Sequence, residues 1–167
     1  ELILQPVIGL IRTMRPRQWT KNALVFAGIV FDGQLFLVPS FVRVLAAFVL
    51  LCLASSAIYV INDIVDVESD RQHPRKKLRA IASGQLPLPL ARVAAVVLPI
   101  ISIVLAIPLS PWLAGLIVIY LALHIAYAFY LKQIVIIDVF AITAGYVIRV
   151  AAGVAVVHVA NFSPWLY

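Results

Sequence analysis

Charge is what this sequence lacks most: 12% of its 167 residues are Asp, Glu, Lys or Arg, against 64% hydrophobic, and its mean hydropathy is +1.08. A water-soluble domain carries about 25% charged residues, so a soluble globular class is excluded in favour of a lipid-embedded one. Cysteine is nearly absent. The one thiol, Cys52, lies in an apolar run, which rules out a disulfide framework within the chain and a cysteine zinc cluster. Cys52 reads as a small buried apolar side chain. Acids are scarce too, seven against thirteen Lys and Arg, for a formal net charge of +6. In a soluble chain that excess would point to nucleic acid. Interleaved with apolar spans it sets membrane topology instead, and no nucleic-acid partner is expected.

Long apolar runs are what the sequence does have. A spanning helix needs roughly 20 mainly apolar residues. Five segments qualify, at about 22–38, 41–62, 88–108, 111–131 and 134–157, the first interrupted by Asp32, Gly33 and Gln34. Pro39, Pro87 with Pro89, and Pro108 with Pro111 punctuate the turns. Residues 1–19, with Arg12, Arg15, Arg17 and Trp19, are predicted to form an amphipathic helix on the membrane surface, kinked or ended by Pro16. The expectation is an all-α, polytopic bundle, with 1–167 forming one domain and 63–87 a cytoplasmic catalytic loop. The last residues, Ser163-Pro164-Trp165-Leu166-Tyr167, read as the opening of another apolar segment, so the chain is expected to be part of a longer one.

Charge orients the bundle. Arg12, Arg15, Arg17 and Lys21, then Arg71, Arg75, Lys76, Lys77, Arg79 and Arg92, then Lys132 all fall on one side if the spans alternate. Only Arg43 falls on the other, and Arg149 lies inside the last span. The positive-inside rule makes the basic side cytoplasmic.

At that side the second span meets Asn62-Asp63-Ile64-Val65-Asp66-Val67-Glu68-Ser69-Asp70. On a continuous helix, positions 63, 66 and 70 lie within about 60° of one another. Three carboxylates on one face repel unless a cation joins them, and Mg²⁺ takes oxygen ligands of this kind, together with substrate phosphates. Asp63, Asp66 and Asp70 are therefore candidate Mg²⁺ ligands, with Asn62 beside them. The loop that follows, His73-Pro74-Arg75-Lys76-Lys77-Leu78-Arg79, suits an anionic ligand. Its bland reading is a loop held in the cytoplasm by its charges. His73 fits a metal ligand, a substrate contact or a cap of the loop. In the last span, Asp138 and Arg149 are about 16 Å apart along the axis and cannot pair. Arg149 then faces a phosphate across a cavity or pairs with another helix. Ala141, Gly145, Ala152 and Gly153 lie on or beside its face and permit close helix approach.

Asn62-Asp63-x-x-Asp66-x-x-x-Asp70 resembles the first aspartate motif of the UbiA-type intramembrane prenyltransferase superfamily. Three flanking patterns are similar to one branch of it: Arg15-Pro16-Arg17-Gln18-Trp19-x-Lys21-Asn22, His73-Pro74-x-Lys76-x-x-Arg79 and Ile81-Ala82-Ser83-Gly84. Tyr127-x-x-x-Leu131-Lys132, Asp138-Val139 and Gly145-Tyr146-x-x-Arg149 add to the likeness. The chain departs from that branch at Ala80, where Pro is usual, and at Ala128, where Ser is usual. The resemblance implies a nine-helix bundle around a central cavity, of which this chain supplies about the first half. It also implies transfer of phosphoribose from phosphoribosyl diphosphate to a polyprenyl (decaprenyl) phosphate, with Mg²⁺ on the three aspartates. Arg17, Lys21, His73, Lys76, Arg79, Tyr127, Lys132 and Arg149 become the candidate substrate contacts, and oligomerisation is possible. Two other readings compete. One is a superfamily member moving a prenyl group from a prenyl diphosphate to an aromatic or lipid acceptor. The other is a transporter with Asp138 and Arg149 along its path, though transport needs no acidic triad followed by a basic loop.

Overall fold

The computed structural model describes residues 4–131 and 135–157, helical over most of their length and without a strand among them. Lipid offers no partner to a backbone amide, so a spanning segment must satisfy its own hydrogen bonds, and the helix does so locally. The α-helices are α1 (Leu4–Met14), α2 (Ala27–Phe31), α3 (Val38–Val65), α4 (Val67–Gln72), α5 (Leu88–Ala106), α6 (Pro111–Ala126) and α7 (Val135–Val154). A 3₁₀ stretch, Pro16–Phe26, joins α1 to α2, a 3₁₀ turn occupies Lys76–Leu78, and a π-helical turn, Tyr127–Leu131, follows α6. Prolines open α3, α5 and α6, where a fixed φ and a missing N–H suit the first turn. The Ser110 hydroxyl caps α6 by accepting the Leu113 amide at 3.4 Å.

Among the described residues, three helices are long and apolar enough to cross a membrane: Val38–Val65, Leu88–Ala106 and Pro111–Tyr130. They coincide with the second, third and fourth expected spans, and the apolar helix Val139–Val154 lies in the fifth. The first expected span takes another form. It is built from the 3₁₀ stretch and the five residues of α2, which stop at Phe31 before Asp32, Gly33 and Gln34. At about 2.0 Å per residue the 3₁₀ winding is longer than an α-helix of equal length, and this segment packs beside α7, Val25 against Gly153 and Gly28 against Val154. The interruption read from the sequence is where the helix ends.

α3 is the centre. Of its most apolar stretch 61% is buried, against 17% for α5 and 33% for α6, so α5 turns Val93, Val96, Ile100 and Val104 outward as a lipid-suited face. Ser102 faces inward and donates to the Leu50 carbonyl at 2.8 Å, tying α5 to α3. α1 stops two residues before Pro16, as expected of that proline, and Arg15 between them adopts a left-handed conformation at φ 52°. α3 runs to Val65, and Asp66, at φ −88° and ψ 2°, breaks it from α4. The acidic motif therefore straddles two helices and not one continuous face.

α7 closes against the 3₁₀ stretch at Gly153. A Cβ there would stand 1.8 Å from the Val25 carbonyl oxygen, a backbone atom that cannot step aside. Close approach through small residues is a membrane packing device, and Gly153 carries it here. Gly153→Ala in the complete protein should cost about 1–3 kcal/mol by overpacking, read as a lowered melting temperature. Gly115→Ala, with open space around its Cβ position, should cost nothing. Equal melting temperatures for the two variants would contradict this contact.

Candidate active site

Asp63, in the last turn of α3, has a side chain only 4% exposed, and two arginines meet it. Arg15 Nη2 donates to Asp63 Oδ1 at 2.7 Å, and Arg79 Nη1 approaches the same oxygen at 3.3 Å. Arg79 Nη1 also donates to Asp70 Oδ2 at 2.7 Å, so one guanidinium bridges two buried carboxylates. Such pairing is what makes burial of the acids tolerable. The left-handed turn at Arg15, unique among the described non-glycine residues, aims its guanidinium inward over the Tyr59 ring, 4.8 Å from the centroid. Strain of this kind persists only where its surroundings hold it. Arg79 is fixed by its own loop. Gly84, at φ 82°, turns the chain so that the Leu86 amide reaches the Ala80 carbonyl at 2.8 Å. Ala80, Ile81 and Leu86 then bury against Val60, Val67 and Ala91.

Beneath this cluster a cavity of about 150 Å³ opens between α3, α6 and α7, with Lys21, Asn62, Tyr127 and Arg149 on its wall. Arg149 is buried, yet no described carboxylate pairs with it. Its Nε donates to Asn22 Oδ1 at 2.7 Å, Nη1 to the Gly145 carbonyl at 2.7 Å and Nη2 to the Tyr120 hydroxyl oxygen at 3.1 Å. The rings of Tyr120 and Tyr146 lie 5.2 and 5.6 Å from its guanidinium carbon, adding cation–π attraction. These described partners are neutral, so they orient the cation without cancelling its charge. Arg149 thus lines the cavity and forms no ion pair among the described residues.

A larger hollow, about 710 Å³, opens beside Arg43, some twenty residues of α3 and so about 30 Å from the acids. Arg43 is committed to helix ends there, donating to the Val156 and Leu109 carbonyls at 2.6 and 2.7 Å. Size alone does not make that hollow the reactive one; the acids and the uncancelled cation are at the other end.

The expected residues are only partly assembled. Asp63, Asp70 and Arg79 meet directly; Asn62, Lys21, Tyr127 and Arg149 line the cavity. Asp66 sits at the junction of α3 and α4, its carbonyl accepting the Asp70 amide at 2.8 Å. His73 acts as a cap: its Nδ1 accepts the Arg75 and Lys76 amides at 3.2 and 3.3 Å. Lys76 is exposed on the loop, and Arg17 is exposed beside a shallow recess shared with Arg12 and Arg15. Lys132 and the Asp138 side chain lie outside the described residues. Arg15, Asn22, Tyr120 and His124 were not singled out as site residues. Arg15 and Asn22 stood within the quoted N-terminal pattern, and a histidine inside an apolar span was itself a signal.

No three Asp, Glu, His or Cys side chains among the described residues converge on one point; the Arg79 guanidinium stands between Asp63 and Asp70 instead. The donors nevertheless fit a hard divalent cation. All are oxygens, and one of them, Asp70 Oδ1, is buried with no hydrogen-bond partner among the described residues, a state that a bound cation would relieve.

A helical bundle with an Asn-Asp-x-x-Asp-x-x-x-Asp motif, its first and last aspartates bridged by an arginine at one end of a cavity, defines a class of integral membrane protein. The chain belongs to the UbiA prenyltransferase family, whose sequence model matches residues 23–167. It is 41% identical over 165 residues to the decaprenyl-phosphate phosphoribosyltransferase of Mycobacterium tuberculosis, covering 92% of this chain and 53% of that protein. It is similar to the proteins of the same name from Mycolicibacterium smegmatis, 41% identical over 88% of this chain and 48% of the relative, and Corynebacterium glutamicum, 40% identical over 87% and 45%. The chain spans about half the length of these curated relatives.

Arg79→Ala would leave Asp63 and Asp70 facing each other without their shared cation, at a cost of about 3 kcal/mol. The melting temperature of the metal-free complete protein should fall, and millimolar Mg²⁺ should recover part of the loss by joining the two carboxylates. No recovery would remove Asp70 from the cation site.

Proposed function

We propose that the complete protein transfers 5-phosphoribose from phosphoribosyl diphosphate to a polyprenyl (decaprenyl) phosphate, releasing diphosphate, for arabinan-type cell-wall precursors. The observation that carries this reading is the buried, uncancelled charge of Arg149 in a cavity directly below the Asp63–Arg79–Asp70 cluster. The names of the relatives support it. A phosphoribosyl donor carries a diphosphate at one end of the sugar and a phosphate at the other. It therefore needs two cationic sites, separated by the length of a sugar.

Asp63, Asp66 and Asp70 would hold Mg²⁺, with Asn62 beside them, and the ion would supply neutralisation of the leaving diphosphate. Arg15 and Arg79 stand at that cluster already, so their guanidiniums can pass from carboxylate to diphosphate oxygens without travelling far. Arg149 and Lys21 would bind phosphate oxygens from within the cavity, Arg17, His73, Lys76 and Lys132 would be further substrate contacts, and Tyr127 would border the sugar. The bond from the anomeric carbon to diphosphate breaks as positive charge develops on that carbon, and a lipid phosphate oxygen forms the new bond. That oxygen is already anionic, so no general base is needed. The acceptor enters sideways from the bilayer of a bacterial inner membrane, and the donor from the cytoplasm.

The family's own description, prenyltransferase, favours a second reading in which a prenyl diphosphate is the donor at the same aspartates. Binding separates the two. Phosphoribosyl diphosphate with Mg²⁺ should raise the melting temperature of the complete protein, inorganic diphosphate should do so less, and removal of Mg²⁺ should cancel most of both. Stabilisation by geranylgeranyl diphosphate alone would sink the phosphoribosyl reading. Orientation has its own test, since Lys77 and Phe36 are exposed at opposite ends while the native Cys52 is buried. Lys77→Cys should react with a membrane-impermeant thiol reagent from the cytoplasmic side, and Phe36→Cys from the other; reversed labelling would overturn the cytoplasmic site.

A further inference from the structure

The cavity holds more than places for an anion. On α6, His124 packs against Tyr120 with ring centroids 4.2 Å apart, and its Nδ1 lies 2.9 Å from the Tyr120 carbonyl oxygen. A carbonyl only accepts, so in the neutral ring Nδ1 carries the proton and Nε2 is left with a lone pair. None of the described residues donates to Nε2, and His124 forms part of the cavity wall. On α3, at the same cavity, Asn62 Oδ1 is a buried acceptor with no partner among the described residues. Arg149 spends three of its five N–H groups on Asn22, Gly145 and Tyr120. Two remain, and the Lys21 ammonium stands on the same wall. The unfilled requirement of the cavity is thus mixed: donors for oxygens of a phosphate, and acceptors that a phosphate cannot satisfy.

A prenyl diphosphate offers acceptors only: it gives His124 Nε2 no donor and leaves the buried Asn62 Oδ1 unpaired, which is costly. A phosphosugar offers phosphate oxygens and hydroxyls together. We infer that His124 Nε2 accepts a hydroxyl of the donor's ribose ring, with Asn62 Oδ1 as the companion acceptor. His124 is then the residue that selects a phosphosugar over a hydroxyl-free diphosphate. The role is one of positioning and specificity. It rests on the phosphoribosyl reading above, and the tautomer and the acceptor at Asn62 add the requirement for a ring hydroxyl.

The test uses the complete protein in detergent with Mg²⁺ and labelled phosphoribosyl diphosphate. Ribose 5-phosphate and 2,3-dideoxyribose 5-phosphate are the paired competitors, and 4-hydroxybenzoate represents a phenolic acceptor. The wild type should prefer ribose 5-phosphate over the dideoxy sugar by about tenfold or more, because a site built to bind a hydroxyl rejects the analogue lacking it. His124→Phe should reduce that ratio to near one, and His124→Gln, which keeps an acceptor, should restore part of it. A ratio is insensitive to how much protein folds, so a poorly expressed variant still reports. An unchanged ratio in His124→Phe overturns the inference while the labelled donor still binds. Weakened 4-hydroxybenzoate competition in His124→Phe, with the sugar ratio intact, also overturns it by assigning Nε2 to a phenol. Failure of the labelled donor to bind the wild type overturns the phosphoribosyl reading and this inference together.

Discussion

Two buried carboxylates and one guanidinium between them hold the acidic end of this protein in place. Asp63 belongs to the central helix, Arg15 to the N-terminal segment and Arg79 to the loop before α5, and all three meet at one oxygen atom. Charge placed where water is scarce must find a countercharge, so this requirement fixes where segments far apart in sequence must lie. The strained turn at Arg15 and the glycine turn at Gly84 follow from it, since each aims an arginine inward. The apolar packing of Ile81 and Leu86 then keeps the second arginine from drifting.

Arg149 answers the same pressure differently. Its partners are an amide oxygen, a backbone carbonyl and a phenol oxygen, which orient the guanidinium while leaving its field intact for a ligand. The nearness of α7 to the N-terminal 3₁₀ stretch makes this possible, because Asn22 reaches Arg149 only if the two backbones almost touch. Gly153 allows that contact against Val25. A packing residue and a charged residue one helical turn apart thus belong to a single arrangement. Asn22 completes it, donating from its amide to Ser55 Oγ at 3.2 Å and so joining α3 to the pair.

Much of the fold was legible beforehand because membrane helices are written as length and apolarity. The spans of α3, α5 and α6 follow from that alone, and Pro16 and the Asp32-Gly33-Gln34 interruption mark real helix ends. Gly153 was legible as a small residue on the Arg149 face. What misled was periodicity carried past a helix end: the three aspartates were placed on one face of one helix, whereas Asp66 interrupts it. A 3₁₀ stretch in place of the first span was hidden as well, since an apolar run has the same composition whichever way it is wound.

Composition, spacing and motif by themselves determined that this is a helical membrane protein with an acidic motif and basic loops gathered toward one side. Those properties are carried by the order of residues and by lipid's exclusion of charge. Only the tertiary structure decided which cation answers which anion. Arg15 and Arg79 rather than Lys76 stand at Asp63, His73 caps its loop, His124 lines the cavity and Asn22 holds Arg149. Partners of this kind are set by distance in space. Residues 15, 63 and 79 become neighbours only after the helices that carry them have packed, and no local pattern records that meeting.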